Sequence, residues 1–289
     1  MRRDSDDYTC YEKILTIGND AVITRLLDEV AVNYGDQLQC DNVSDAQECL
    51  PRIKDVTYDL VLTDTQTNGA ADVALLRQVR QLSPATKVMV LASASTPTDV
   101  IAAMQEHAFS FFSAPFEPSD IAEMVAKALD LPEWDDGIEV LSALPHWITL
   151  KVKCRLLTAS RVIRFLREMQ TELPLEIRER IGTAFREMVL NAIEHGGKFD
   201  PQQTIKVACV VSAQALVYHI EDPGPGFSFH HLPQAAISNP SDDPTQHLLY
   251  RAAQGVRPGG FGIMMTKELV DELFYNEKGN EVMLIKQLA

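Results

Sequence analysis

Five short apolar runs, Ile14–Ile17, Leu38–Cys40, Leu60–Thr63, Val88–Leu91 and Phe109–Phe112, punctuate the first half of the chain. Between them lie stretches such as Val22–Val32, Ala71–Leu82, Asp99–Gln105 and Ser119–Leu129, with apolar residues at helical spacing. Runs this short are strands rather than helices. Strands alternating with helices form a parallel sheet covered on both faces. The reading for this half is therefore α/β: a doubly wound, five-stranded parallel sheet. In such sheets ligands gather at the carboxyl ends of the strands, near a topological switch point.

The chain of 289 residues is long enough for about two domains. Its charge divides in the same way: residues 1–136 hold 24 acidic and 10 basic residues, and residues 137–289 hold 17 and 16. The net charge of −15 argues against nucleic acid, since phosphate binding draws on clustered Lys and Arg. Leu131-Pro132-Glu133-Trp134-Asp135-Asp136-Gly137 is the natural boundary, because Pro and Gly end the preceding helix there. The predicted layout is 1–131, a linker at 132–147 with Trp134 and Trp147 as buried hinge aromatics, and 148–289. The five cysteines show no zinc spacing and read as free, mostly buried thiols of a reducing compartment. Without a signal-peptide run or a membrane-length apolar stretch, a cytoplasmic protein is expected.

The first half resembles a response-regulator receiver domain, which implies a flavodoxin-like fold. Tyr58-Asp59-Leu60-Val61-Leu62-Thr63-Asp64 looks like the third strand ending in the phospho-accepting aspartate, Asp64. Ala114-Pro115-Phe116 and the following Glu117-Pro118-Ser119-Asp120-Ile121 look like the end of the fifth strand and the start of the last helix. Three positions depart from the family. Its acidic pair after the first strand is Gly18 and Asn19, with Asp20 one place late; its Thr or Ser after the fourth strand is Ala92, beside Ser93; and its Lys before the Pro-Phe pair is Ala114. Phosphoryl transfer requires that charge be neutralised by metal and cation, so Asp64 is expected to be inactive and the domain to be a pseudo-receiver that binds another protein.

In the second half, Leu175–Ala192 is a long amphipathic helix pattern, with Ile177, Ile181, Ala184, Phe185, Met188, Val189 and Ala192 on one face. Glu187 and Asn191 lie four apart on it and so share a face. A carboxylate and an amide placed together suit a magnesium nucleotide: the amide oxygen can hold the cation and the carboxylate can take a proton. Val207–Val211 and Leu216–Ile220 read as consecutive strands, the second leading into Glu221-Asp222-Pro223-Gly224-Pro225-Gly226-Phe227. Two closely spaced glycines let backbone approach a flat ligand while Asp222 accepts an amino hydrogen. Arg257-Pro258-Gly259-Gly260-Phe261-Gly262-Ile263 then precedes a helix read as Met264–Leu273. Glycines that open a helix are where phosphates bind.

In this order the three strings resemble the ATP-binding module of the gyrase, histidine kinase and MutL superfamily, from about Ile148 to Leu288. The resemblance implies an α/β sandwich (a Bergerat-type fold), with a mixed sheet, helices on one face, ATP and Mg2+ as ligands, and a lid at Ser228–Pro258. The string Glu187, Asn191, Ala192, His195, Gly196 is closest to the bacterial anti-sigma serine kinases. By that resemblance Glu187 is the general base, Asn191 holds magnesium, and Asp222 reads the adenine amino group. Gly224 and Gly226 shape the base pocket, while Gly259, Gly260 and Gly262 lie at the phosphates. His195 caps the helix or touches the ligand edge. Asn280 stands where the family has a Thr that helps fix adenine.

The leading expectation is a kinase-like partner-switching regulator acting on a protein partner, such as an anti-sigma antagonist domain or a sigma factor, with a homodimer possible. The alternative is a non-catalytic ATP-binding adaptor. A sensor histidine kinase would need an acceptor His on a helical hairpin, and the helices read at Ser160–Thr171 and Leu175–His195 offer only His195. A gyrase- or MutL-like machine would need a transducer after the module, which the remaining length does not accommodate.

Overall fold

The structure, a computed structural model, describes residues 12–18, 21–131, 134–227, 236, 243, 245–253 and 260–288. It divides into two compact units, Met1–Asp136 and Gly137–Ala289.

The first unit contains β1 (Glu12–Ile17), α1 (Ala21–Tyr34), β2 (Leu38–Val43), α2 (Ala46–Asp55), β3 (Leu60–Leu62), α3 (Gly69–Leu82), β4 (Lys87–Ala92), α4 (Pro97–Gln105), β5 (Ser110–Ser113) and α5 (Pro118–Leu129). Its sheet runs β2-β1-β3-β4-β5 with every pair parallel, as the alternation predicted. All six residues of β4 are buried, the mark of a strand covered on both faces. Helix starts follow local chemistry. Asn68 accepts the Ala71 N–H at 3.0 Å to open α3, and Thr96 with Asp99 forms a capping box ahead of Pro97. Trp134 packs on Phe109 at a 5.3 Å centroid distance, within this unit.

Asp72, in the first turn of α3, is an uncommon core residue, only 2% exposed. Its Oδ1 accepts the Thr67 hydroxyl at 2.5 Å, while no hydrogen bond to Oδ2 is made among the described residues. Burial pushes its carboxyl up to about 7. The folded state therefore holds this proton at pH values where the unfolded chain has lost it, so stability falls as pH rises. Relative to Asp72→Asn, the wild type is expected to lose about 1.4 kcal/mol per pH unit between the ordinary carboxylate range and neutrality, then to level off. Urea unfolding at about pH 5 and pH 8, followed by hydrogen exchange across β3 and β4, checks this; parallel profiles for the two proteins would exclude it.

The second unit contains β6 (Ile138–Leu144), β7 (Trp147–Lys153), α6 (Leu156–Glu168), α7 (Leu175–Asn191), β8 (Thr204–Val211), β9 (Ala215–Glu221), α8 (Gln246–Ala253), α9 (Gly262–Leu269), β10 (Glu272–Tyr275) and β11 (Glu281–Gln287). The sheet order is β10-β11-β9-β8-β7-β6. Every pair is antiparallel, which corrects the mixed sheet that the family resemblance implied. Buried and less buried residues alternate along β7, β8 and β9, so one face is packed. Phe185 of α7 stacks on Tyr218 of β9 at 4.1 Å, and the Gln170 amide donates to the Tyr218 hydroxyl.

Three expectations need correction. Residues 138–147 are not linker: β6 pairs with β7, and the Gly137 carbonyl accepts the Lys153 N–H at 2.9 Å. A register shift between Val140 and Ser142 breaks the period of two that would have exposed this strand in the sequence. Trp147 is 50% exposed on β7 rather than a buried hinge. The helix expected to reach Leu273 stops at Leu269, because Val270 is extended and Leu273 pairs with Leu284 in the sheet. Within the predicted lid, α8 is an ordered helix, and its buried His247 meets Phe261 edge-on at 4.6 Å.

Candidate nucleotide-binding site

α7 carries the site along one flank. Glu187 and Asn191 lie in its last two turns, and the chain continues into a five-residue π turn, Ala192–Gly196. π turns inside helices are frequent at functional sites. Here the turn brings Gly196 against the end of β9, where a Cβ would come 2.2 Å from the Asp222 Oδ1. At the other end α9 closes on α7. A Cβ at Gly262 would stand 2.9 Å from Glu187 Oε2 and 3.5 Å from Asn191 Nδ2. Arg180 of α7 holds this approach by donating to the Glu268 carbonyl at 2.7 Å, the unsatisfied end of α9.

The floor comes from β9 and β11. The Asp222 N–H donates to the Asn280 carbonyl at 2.9 Å, and Asn280 Nδ2 returns a bond to the Asp222 carbonyl at 3.0 Å. Gly226 and Gly279 both take positive φ, 78° and 79°. A Cβ at Gly226 would lie 1.9 Å from the Lys278 carbonyl oxygen, and one at Gly279 would lie 2.1 Å from that of Phe227. Any side chain there would force the two backbones apart.

Together these elements enclose a cavity of about 430 Å³, within the range of small-molecule pockets. Asp222 and Asn280 line it with Met188, Ile220, Tyr275 and Val282; Glu187, Asn191, Gly260 and Gly262 line it too. Glu187 and Gly196 are nine positions apart along α7 and the π turn, on the order of 10 Å. A ligand touching both Asp222 and Glu187 is therefore elongated. Asp222 Oδ1 accepts the Gly224 N–H at 2.8 Å. Burial raises its pKa above the ordinary carboxylate value, against the pull of that N–H and of Lys278 and Lys198. A partly desolvated carboxylate is stabilised by a further N–H donor, which an adenine amino group supplies. A lone amide oxygen at Asn191 suits magnesium, which takes most of its ligands from phosphate and water. The residues present thus fit a magnesium nucleotide.

Of the residues singled out in the sequence, Glu187, Asn191, His195, Asp222, Gly224, Gly226, Gly260, Gly262 and Asn280 all line this cavity, with His195 on its exposed side. Gly259 lies outside the described residues. Asn280 differs from its expected role, since its amide is engaged with Asp222 and Asn276 and so buttresses the acid. The apolar lining was missed. Strand alternation was the available signal for Ile220 and Val282, which face each other across β9 and β11.

Asp64 follows β3 in the first unit, at the carboxyl end of the sheet. Its Oδ1 accepts the Gln66 N–H at 2.9 Å and sits where a Cβ on Gly18 would come within 2.7 Å. Ser93 turns away to donate to the Thr67 carbonyl at 2.6 Å. Asn19 and Asp20 lie outside the described residues. Among the described residues no group of three His, Cys, Asp or Glu side chains could hold a metal ion.

Residues 14–126 match the response regulator receiver domain family, and residues 153–286 match the histidine kinase-like ATPase domain family. The chain joins a receiver domain to a histidine kinase-like ATPase domain. The chain is similar to the DNA-binding transcriptional regulator NtrC of Salmonella typhimurium, 25% identical over 116 residues, 40% of this chain and 24% of that protein. The response regulator protein PilR of Pseudomonas aeruginosa is 26% identical over 209 residues, 68% of this chain and 42% of that protein. The chain thus spans about a quarter of NtrC and under half of PilR. Among solved structures, the apo receiver domain of nitrogen regulatory protein C is 24% identical, with a TM-score of 0.35, covering 41% of this chain and 94% of that one. A CheY-like receiver domain from Methanospirillum hungatei is 20% identical, with a TM-score of 0.36, covering 42% and 94%. The cavity lies wholly within the ATPase domain. No helix among the described residues is long and apolar enough to cross a membrane.

Proposed function

We propose that the chain is an ATP-dependent serine/threonine kinase of the partner-switching, anti-sigma type, with a receiver that no longer accepts phosphate as its regulatory input. The observation that carries this reading is the convergence of Glu187, Asn191 and Gly262 on one flank of a cavity that Asp222 also lines. Bound ATP would supply the transferable γ-phosphoryl group and leave as ADP, with magnesium neutralising the phosphate charge. Asn191 would hold the cation, and the N–H groups around Gly260 and Gly262 would face phosphate oxygens at the start of α9. Asp222 would orient the base. Glu187 would take the proton from a serine or threonine hydroxyl of a small antagonist domain. An adaptor that only binds ATP has no use for a carboxylate beside the metal-holding amide, and this favours the kinase.

The receiver's role as input rests on what surrounds Asp64. Gly18 packs against it, and Ala114 stands where the family's cation would be. The test is calorimetry of ATP with and without magnesium on wild type and Asn191→Ala, followed by a γ-phosphate transfer assay on antagonist-type domains. Wild type is expected to bind ATP about 10-fold more tightly with magnesium than without, and Asn191→Ala to lose that difference. Tight binding with no transfer to any hydroxyl acceptor would replace the kinase by the adaptor. No binding at all would remove both.

A further inference from the structure

The turn joining β10 to β11 contains a side chain outside the three family strings. Asn276 Oδ1 accepts the backbone N–H groups of Gly279 at 2.7 Å, Asn280 at 3.1 Å and Glu281 at 3.3 Å. That oxygen helps build the turn beside two backbone bonds, Gly279 N–H to the Asn276 carbonyl at 3.1 Å and Asn276 N–H to the Glu281 carbonyl at 3.2 Å. Its Nδ2 does something different: it donates to Asn280 Oδ1 at 3.0 Å and Glu281 Oε1 at 3.1 Å. Asp serves as well as Asn where only an acceptor is needed in a turn. The amide's donor arm is what distinguishes Asn at this position, and it points to Asn280.

Asn280 is 8% exposed and grips Asp222 at both backbone groups, accepting its N–H and donating to its carbonyl. With Oδ1 tied to Asn276 and Nδ2 to Asp222, the Asn280 amide is held in one orientation. Asp222 is then fixed from two sides, its backbone by Asn280 and its Oδ1 by the Gly224 N–H. A line of hydrogen bonds runs from Asn276 through Asn280 to the backbone of Asp222, the residue whose carboxylate lines the cavity.

We propose that Asn276 is a positioning residue: through Asn280 it sets the direction of the Asp222 carboxylate, and so sets how strongly the site prefers a purine with a 6-amino group. The inference rests on the nucleotide-binding reading of the cavity. It predicts that loss of the donor arm removes selectivity for the base while leaving the phosphate contacts of α7 and α9 in place.

The test compares ATP with purine riboside triphosphate, which lacks the 6-amino group, by calorimetry with magnesium on the full chain. Wild type is expected to prefer ATP by about 10-fold or more, the worth of a hydrogen bond to a charged acceptor. Asn276→Asp keeps the acceptor for the three N–H groups but sets an acceptor where Nδ2 donated. Because Nδ2 also faces Glu281 Oε1 at 3.1 Å, the variant is made together with Glu281→Gln, which relieves the facing carboxylate, and with Glu281→Gln alone as control; the double variant should melt near that control and bind the two nucleotides within about 2-fold of each other. Asn280→Ala should lose the same preference by cutting the next link. If the double variant keeps the preference of its control, or weakens both nucleotides by one common factor, Asn276 only builds the turn and the proposal is overturned. If wild type binds neither nucleotide, the reading of the cavity fails first; if it binds both equally, Asp222 does not read the base. Either result also ends the inference.

Discussion

Asp222→Ala is expected to weaken ATP binding by about 100-fold or more, taking it out of the range of ordinary calorimetry. The change removes the carboxylate and also the group around which the pocket is shaped. Gly196 and Gly224 both lack side chains where a Cβ would strike Asp222 Oδ1. Without the acid, the Gly224 N–H loses its acceptor and the gap beside Gly196 opens. The wild-type response to pH follows from the same carboxylate. Its pKa is raised, chiefly by burial, so on acidification it gains a proton before an ordinary aspartate does. Binding of ATP is expected to weaken from a higher pH than an exposed aspartate would give. A titration of affinity against pH checks this, and a flat profile through the acidic range would argue that Asp222 does not contact the base.

Glu187→Gln is expected to lower phosphoryl transfer by roughly 10²–10⁴-fold while ATP affinity stays within about 3-fold of wild type. The amide matches the carboxylate in shape, so the close approach of Gly262 is preserved. What it loses is the capacity to take a proton. Single-turnover transfer to a serine acceptor, beside calorimetry on the same protein, separates the two quantities. Equal losses in both would make Glu187 a binding residue, and unchanged transfer would remove it from the chemistry.

Most of this site was legible in the sequence because its parts are local. Glu187 and Asn191 share a helix face by spacing alone, and the glycine strings mark places where only backbone fits. The first sheet was legible for a similar reason: strands buried on both faces, such as β4, read as unbroken apolar runs. What escaped depends on distant partners. β6 is an edge strand with a register shift, so its pattern carries no clean period. The end of α9 is decided by the pairing of Leu273 with Leu284, which outweighs the helical preference of the intervening residues. The buttressing role of Asn280 follows from residues on β9 and in the β10–β11 turn, which no spacing rule joins. Asp72 was unremarked because a single carboxylate in a helix's first turn ordinarily caps it in solvent; its burial is a property of the packed unit.

The cavity's two flanks are built by different means. Asp222 and Asn280 follow and precede the adjoining ends of β9 and β11, where two hydrogen bonds between them extend the strand ladder by one step. Glu187 and Gly262 meet where two helices touch, and that meeting depends on a missing methyl and on one arginine at the far end of α9. The first flank resists drift and the second tolerates it. On the proposed reading, a single change at Gly262 or Arg180 would disturb the helix flank while leaving the hydrogen bonds around Asp222 in place, separating recognition of the base from transfer of phosphate.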